Sequence, residues 1–275
     1  MDALSLVRRS SAPRPRRSSQ WWRAVVLGAA GVYFLVPLYA AVRYSLTGTR
    51  GQFTFSAVTG IPHQSGFGAS MTLSLKLMVV TTVLSLLLMV STAVYVHLRR
   101  PALRRLLDGV TILPLVIPPV VLIVGLLQVA PGWIKSSPYL LALEYVVLAS
   151  PFVYRSLSVG LSAIDLKTLV EAGRSLGAGW WTTLFRVVIP NLRSAILSGT
   201  VLAVALVLGE FTMASLDQFQ TFPVWVVAFQ QDNSHVSTAV SFLALVLSWV
   251  LLMVISGLDR RRSGRTVLVA SIGGS

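Results

Sequence analysis

Six long apolar runs, separated by short polar segments, make up most of this chain. They are Ala24 to Val42, Leu77 to Val96, Val110 to Ala130, Tyr139 to Leu161, Ala195 to Leu216 and Val236 to Leu258. Each is roughly 20 residues, the length a helix needs to cross about 30 Å of hydrocarbon. Backbone amides find no water in lipid, so runs of this kind form helices, which satisfy their own hydrogen bonds. The pattern predicts an all-α membrane protein with six transmembrane helices. A basic leader (1–21), a transmembrane domain (22–260) and a tail (261–275) divide the chain. The leader is rich in Arg, Ser and Pro and buries too little apolar area to order itself; it is expected to be disordered. The first run lacks a clear small-residue cleavage site and is read as a retained span. Pro114, Pro118 and Pro119 predict a kink in the third run, lining a solute path or serving packing.

The polar interruption at 162–193 is too patterned to be a linker. Leu166, Leu169, Val170 and Gly173 share one face at helical spacing. Trp180, Trp181, Leu184 and Val188 form a second apolar face, with Arg186 set off it. Between the two stretches lie Gly177 and Gly179, which tolerate positive φ and allow a sharp bend. Two helices with apolar faces outside the bilayer need something to pack on. The segment is therefore a candidate docking surface for another protein.

Composition and charge fit a membrane protein. The chain of 275 residues is 55% hydrophobic and only 12% charged, against roughly 25% charged in soluble domains. It has no cysteine, which excludes disulfides and thiolate metal sites. Its formal net charge is +14. Eighteen of the 23 lysines and arginines fall in four segments: the leader to Arg23, the loop from Arg99 to Arg105, the loop at 162–193, and the tail from Arg260. Only Arg43, Arg50, Lys76 and Lys135 fall on the other side, and Arg155 lies inside the fourth run. Under the positive-inside rule this places both termini and the 162–193 loop in the cytoplasm. The cations follow membrane topology, so no nucleic acid is implied. A multi-pass position in a bacterial cytoplasmic membrane, in contact with lipid, is the expected location.

Familiar enzyme motifs find little support. None of Lys76, Lys135 and Lys167 follows a glycine, so the phosphate-cradling Gly-Lys-Ser/Thr loop is not present. No His-Glu-x-x-His occurs, and the Gly-x-Ser-x-Gly letters at Gly173 to Gly177 fall inside the patterned 162–193 loop. The chain is not expected to be an enzyme, and energy for transport must come from a partner or an ion gradient. An ion-coupled secondary transporter would show internal repeats and ionisable residues near the midplane. No repeat is apparent, and the intramembrane ionisable residues are Glu144, Arg155 and Glu210.

The segment Glu171-Ala172-Gly173, Gly177 and Val187-Val188-Ile189-Pro190 resembles the cytoplasmic loop of permease subunits of binding-protein-dependent ABC importers. The family pattern is Glu-Ala-Ala, three residues, Gly, nine residues, Ile, one residue, Leu-Pro. Here Gly173 stands for Ala, Val187 for Ile and Ile189 for Leu, and the spacing agrees throughout. The resemblance implies the type I importer permease fold, with two short coupling helices seated on an ATPase. Glu171, Ala172, Gly173, Gly177, Ile189 and Pro190 would carry that coupling. It also implies a second permease subunit, with a heterodimer favoured, and an extracytoplasmic solute-binding protein. ATP and magnesium would sit on the partner ATPase, leaving this chain without a cofactor. Glu171 faces either the partner or a local cation, Arg174 or Lys167. The phrase Leu208-Gly209-Glu210-Phe211 resembles the fifth-span motif of permeases for ferric iron, thiamine, phosphonate and oxyanions. Glu210 either lines the path or bonds a neighbouring helix. Glu144 and Glu210 toward the outside, with Arg155 toward the inside, tilt the path toward a cation. A polyamine is the leading expectation for the solute, with ferric iron, phosphonate and thiamine behind it.

Overall fold

The computed structural model describes residues 18–47, 52–55, 59–232 and 234–272. Helices dominate: α1 (Ser18–Ser45), α2 (Phe67–Arg99), α3 (Arg104–Val110), α4 (Leu113–Val116), α5 (Pro119–Val129), α6 (Pro138–Ser162), α7 (Leu166–Ser175), α8 (Trp180–Thr183), α9 (Arg193–Gly209), α10 (Thr212–Leu216), α11 (Phe222–Asp232) and α12 (Ser234–Ile272). Residues 1–17, which hold most of the expected leader, lie outside the described residues. α1 already includes Ser18–Gln20, so the helix starts earlier than the apolar run.

The first, second, fourth and fifth apolar runs each fall in a helix, or a helix with a short extension, long and apolar enough to cross a membrane. The third run is split. Its two halves, Pro101–Val116 and Pro119–Val129, meet at 99°. A kink was expected; the structure has a near-perpendicular break. Two consecutive prolines explain it. Ile117 and Pro118 are extended, at ψ 124° and 138°, because a residue before proline is driven out of the helical region. The sixth run lies in α12, which runs on as helix through Ile272. Residues 261–272 of the expected tail are thus helical, with no proline after Leu258 to stop the helix.

α2, α6 and α9 pack on one another and form the central layer; α12 contacts α1, α9 and α11. α6 is the most enclosed of the spans. Pro151 sits within it and removes the amide that would bond Val147 O. Ser150 Oγ donates to that carbonyl at 2.7 Å, so the helix continues unbroken. At one end of the bundle, Ala93 and Val94 of α2, Val153 and Leu157 of α6, and Leu166 and Val170 of α7 share a core with Val188 and Leu192. The 162–193 loop is thus fixed to the bundle by its own apolar faces. A middle core joins Leu77, Leu141, Tyr145, Val207 and Met213. At the far end Trp225 is buried and donates from Nε1 to Ser65 O at 2.9 Å. Its ring packs against Phe67, Phe222 and Phe229.

Candidate coupling loop and translocation path

The loop is built by ordinary capping chemistry. Asp165 opens α7, accepting from Thr168 N at 3.2 Å and from Thr168 Oγ1 at 2.7 Å. These bonds favour the ionised carboxyl and hold it below the usual carboxylate range. The cap is therefore intact at neutral pH and weakens only as pH falls through that lowered value. At the other end of α7, Gly177 N donates to Arg174 O at 2.9 Å and Ala178 N to Gly173 O at 3.0 Å. This is a Schellman motif, and it requires the left-handed residue that Gly177 supplies at φ 79°. Gly179 does not share the role: its φ is −67°, so the expectation that both glycines make the bend is corrected.

Gly173 has its own reason to be glycine. A Cβ there would lie 3.2 Å from Thr183 Oγ1 and 3.3 Å from Thr183 Cγ2. α7 and α8 approach more closely at this point than an alanine would comfortably permit. After Thr183 the backbone widens to a π turn over Leu184–Val188, closed by Ile189 N on Leu184 O. Pro190 cannot donate to Arg186 O, and the wider turn upstream accommodates the missing bond. Leu184 and Val188 turn into the core, whereas Trp181 and Phe185 turn out and stack at 6.1 Å. The expected face of Trp180, Trp181, Leu184 and Val188 is therefore divided. Phe185, 60% exposed, belongs to the outer surface together with Leu176 at 88% and Trp181 at 68%. Glu171 and Ala172 are exposed beside them, Ile189 is half-buried and Pro190 is exposed. Among the described residues Glu171 makes no ion pair, so its local pairing with Arg174 or Lys167 is not formed.

The three intramembrane ionisable residues fall in two places. Arg155 and Glu144 share α6 but lie eleven residues, about 16 Å, apart. Arg155 borders a cavity of about 920 Å³ near the loop, together with Asp108, Thr111, Asn191, Ser194 and Ser198. Its side chain is exposed there and makes no hydrogen bond or ion pair among the described residues. Asp108 Oδ1 is buried without a partner at the same cavity. Arg104, by contrast, donates to Ser162 Oγ at 2.7 Å.

Glu210 lies where α9 stops. Its carboxylate accepts from Met213 N at 2.9 Å, from Ala214 N at 3.4 Å and from Tyr145 OH at 3.0 Å. It caps α10 and ties it to α6. Of the two roles open to it from sequence, the structure displays the bond to a neighbouring helix. Glu144 is buried with neither carboxylate oxygen paired. It borders an otherwise apolar recess of about 360 Å³ between α5, α6 and α10. Glu210 and Asp217 lie within electrostatic reach of it. Sequence reasoning missed Tyr145 and Asp217. No local pattern links Tyr145 to a residue 65 positions away.

Residues 88–265 match the sequence model of the family described as "Binding-protein-dependent transport system inner membrane component". The chain belongs to that family. The matched stretch holds the whole loop, the Arg155 cavity and Glu210. Members of this family are permease subunits and not enzymes, so the chain is a multi-pass membrane permease subunit. The molybdenum transport system permease protein ModB of Haemophilus influenzae is 34% identical over 181 residues, covering 58% of this chain and 78% of that one. The sulfate transport system permease protein CysW of Synechococcus elongatus is 33% identical over 184 residues, covering 59% of this chain and 63% of its own length. A solved bacterial ABC transporter involved in the import of the acidic polysaccharide alginate shares the fold at a TM-score of 0.66 and 13% identity, over 89% of this chain and 96% of that one. The two sequence relatives are named for molybdenum and sulfate, not for a polyamine.

Proposed function

We propose that this permease, with a second permease subunit, forms the translocation path of an ATP-driven importer for a small oxyanion of the molybdate or sulfate kind. An external binding protein delivers the solute. Separate ATPase subunits, which hold ATP and magnesium, dock on the exposed face of the 162–193 loop and drive the path between its two openings. The arginine bias puts that loop and both termini in the cytoplasm.

Arg155 carries the choice of solute. It stands seven residues, about 10 Å, inside the loop end of α6, and no described residue pairs with it. An unpaired guanidinium at that depth is too costly to face lipid, and faces water or a solute instead. A guanidinium is suited to a tetrahedral oxyanion because it donates along two parallel directions, and Ser198 adds a hydroxyl to the same cavity, which Asp108 also borders. The likeness to molybdenum and sulfate permeases supports the same class. The polyamine expectation leaned on two outer acids. Glu210 already accepts three hydrogen bonds and is not free for an ammonium group, and the recess that Glu144 borders is otherwise apolar and offers a polyamine no second polar group.

The test is uptake into proteoliposomes holding the permease, its ATPase and its binding protein. ATP-dependent uptake of molybdate or sulfate, undiminished by excess putrescine, is expected. Uptake of putrescine without either oxyanion would overturn the solute assignment and leave the family membership intact. The binding protein gives a second readout, since a ligand at a hundredfold excess over Kd stabilises it by about 2.7 kcal/mol.

A further inference from the structure

At the loop end of the bundle, the end of α2, Arg100 just after it and the start of α8 border an open cavity of about 620 Å³ that belongs neither to the path nor to the outer face of the coupling helices. Four residues line it: Tyr95, Arg99, Arg100 and Trp180. Two are cations, two are aromatic, and none is acidic. No ion pair among the described residues occupies either arginine. Tyr95 and Arg99 are one helical turn apart and share a face of α2.

The same face continues up the helix into the bilayer. Leu84, Leu88, Ser91 and Tyr95 recur at helical spacing and all are exposed, with Leu88 at 51% and Tyr95 at 53%. From Leu84 to Arg99 this stripe is fifteen residues, about 22 Å, enough to cross the ~15 Å of one leaflet. Ser91 Oγ donates to Leu87 O at 2.7 Å, which satisfies its hydroxyl within the helix, so a charged recess at the membrane surface is continuous with a largely apolar track of leaflet depth. The two halves ask for one ligand with an anionic head and a hydrocarbon tail.

We propose that this cavity is a binding site for an anionic phospholipid, with its phosphate held between Arg99 and Arg100 and its acyl chain lying along the Leu84–Tyr95 face of α2. An acidic side chain of a protein partner would satisfy the arginines but not the track. A free phosphate ion would likewise leave the track empty. Trp180 is the first residue of α8, so the lipid head touches the start of the second coupling helix. The site stands independently of which solute is carried.

Native mass spectrometry of the full-length permease, purified with its partners, tests this. Phosphatidylglycerol is expected to be retained in preference to phosphatidylcholine. Juxtamembrane basic residues each contribute about fivefold in affinity for anionic lipid, or about 30-fold for the pair. Retention should fall by that order in the Arg99→Gln, Arg100→Gln double variant and persist in Arg105→Gln, a neighbouring exposed arginine outside the cavity. The charge-preserving Arg99→Lys, Arg100→Lys variant should retain most of the lipid, which separates lost charge from lost folding. Equal retention of the two lipids would overturn the proposal, as would unchanged retention in the glutamine double variant. Displacement by millimolar inorganic phosphate would identify a free-anion site instead. Loss of lipid only when the ATPase is bound would identify an acidic patch of that partner as the occupant, and would equally overturn it.

Discussion

Arg155 and Glu210 are both charged residues within apolar runs, yet their surroundings give them different work. Glu210 ends α9, and its carboxylate caps α10 while accepting from Tyr145. Arg155 has no partner among the described residues and borders the cavity near the loop. A charge-assisted hydrogen bond is worth about 1.5–3 kcal/mol, or roughly 10- to 100-fold in uptake when it acts on the moving solute. Arg155→Gln is therefore expected to lower oxyanion uptake by about that range without shifting the melting temperature, because no bond within the chain is lost. Arg155→Lys should recover part of it. Unchanged uptake in Arg155→Gln would remove this residue from the path. The sequence marks both residues as unusual, since a charge inside a span is expensive. It does not distinguish them, because the deciding partners of Glu210 include one contributed by another helix.

At the scale of elements, the 162–193 loop was the most legible part of the chain. The two helices, the bend at Gly177 and the inward face of Leu166, Val170 and Gly173 all follow from spacing. Two features did not. Trp181 turns outward with Phe185 rather than inward with Leu184 and Val188, and the widening to a π turn over Leu184–Val188 leaves no mark in the apolar pattern. The cap at Asp165 rests on two bonds from Thr168, which an acidic residue before a periodic stretch allows but does not fix. Gly177 leads to a sharp expectation. Nothing lies within 4 Å of a Cβ built there, so a substituent has room, and the cost is the left-handed backbone, roughly 1–2 kcal/mol. Asp tolerates that conformation better than most residues. Gly177→Asp should therefore fold and insert normally while placing a charge in the docking face, and Glu171→Ala should remove one from it. Both are expected to abolish uptake at normal membrane levels. Uptake near wild-type in both would show that the loop does not couple.

At the scale of the molecule, hydropathy foretold an all-helical membrane protein, and the break at Pro118–Pro119 and the length of α12 are what it could not give. Apolar length locates a span but does not say whether it is straight, and a proline pair can turn one run into two helices at 99°. Nor does hydropathy identify what covers an exposed face. The outer surface of Leu176, Trp181 and Phe185 is where the proposed ATPase must sit. Because the chain has no cysteine, a single introduced thiol reports one position only. Leu176→Cys is the most direct measurement, with Trp133→Cys, 80% exposed elsewhere on the molecule, as the comparison. In membranes containing the whole importer, a short bifunctional reagent is expected to join Leu176→Cys to the ATPase subunit, with a yield that changes when ATP is added, and to leave Trp133→Cys unjoined to it. No cross-link from Leu176→Cys, or an equal one from Trp133→Cys, would contradict the placement of the ATPase on this loop.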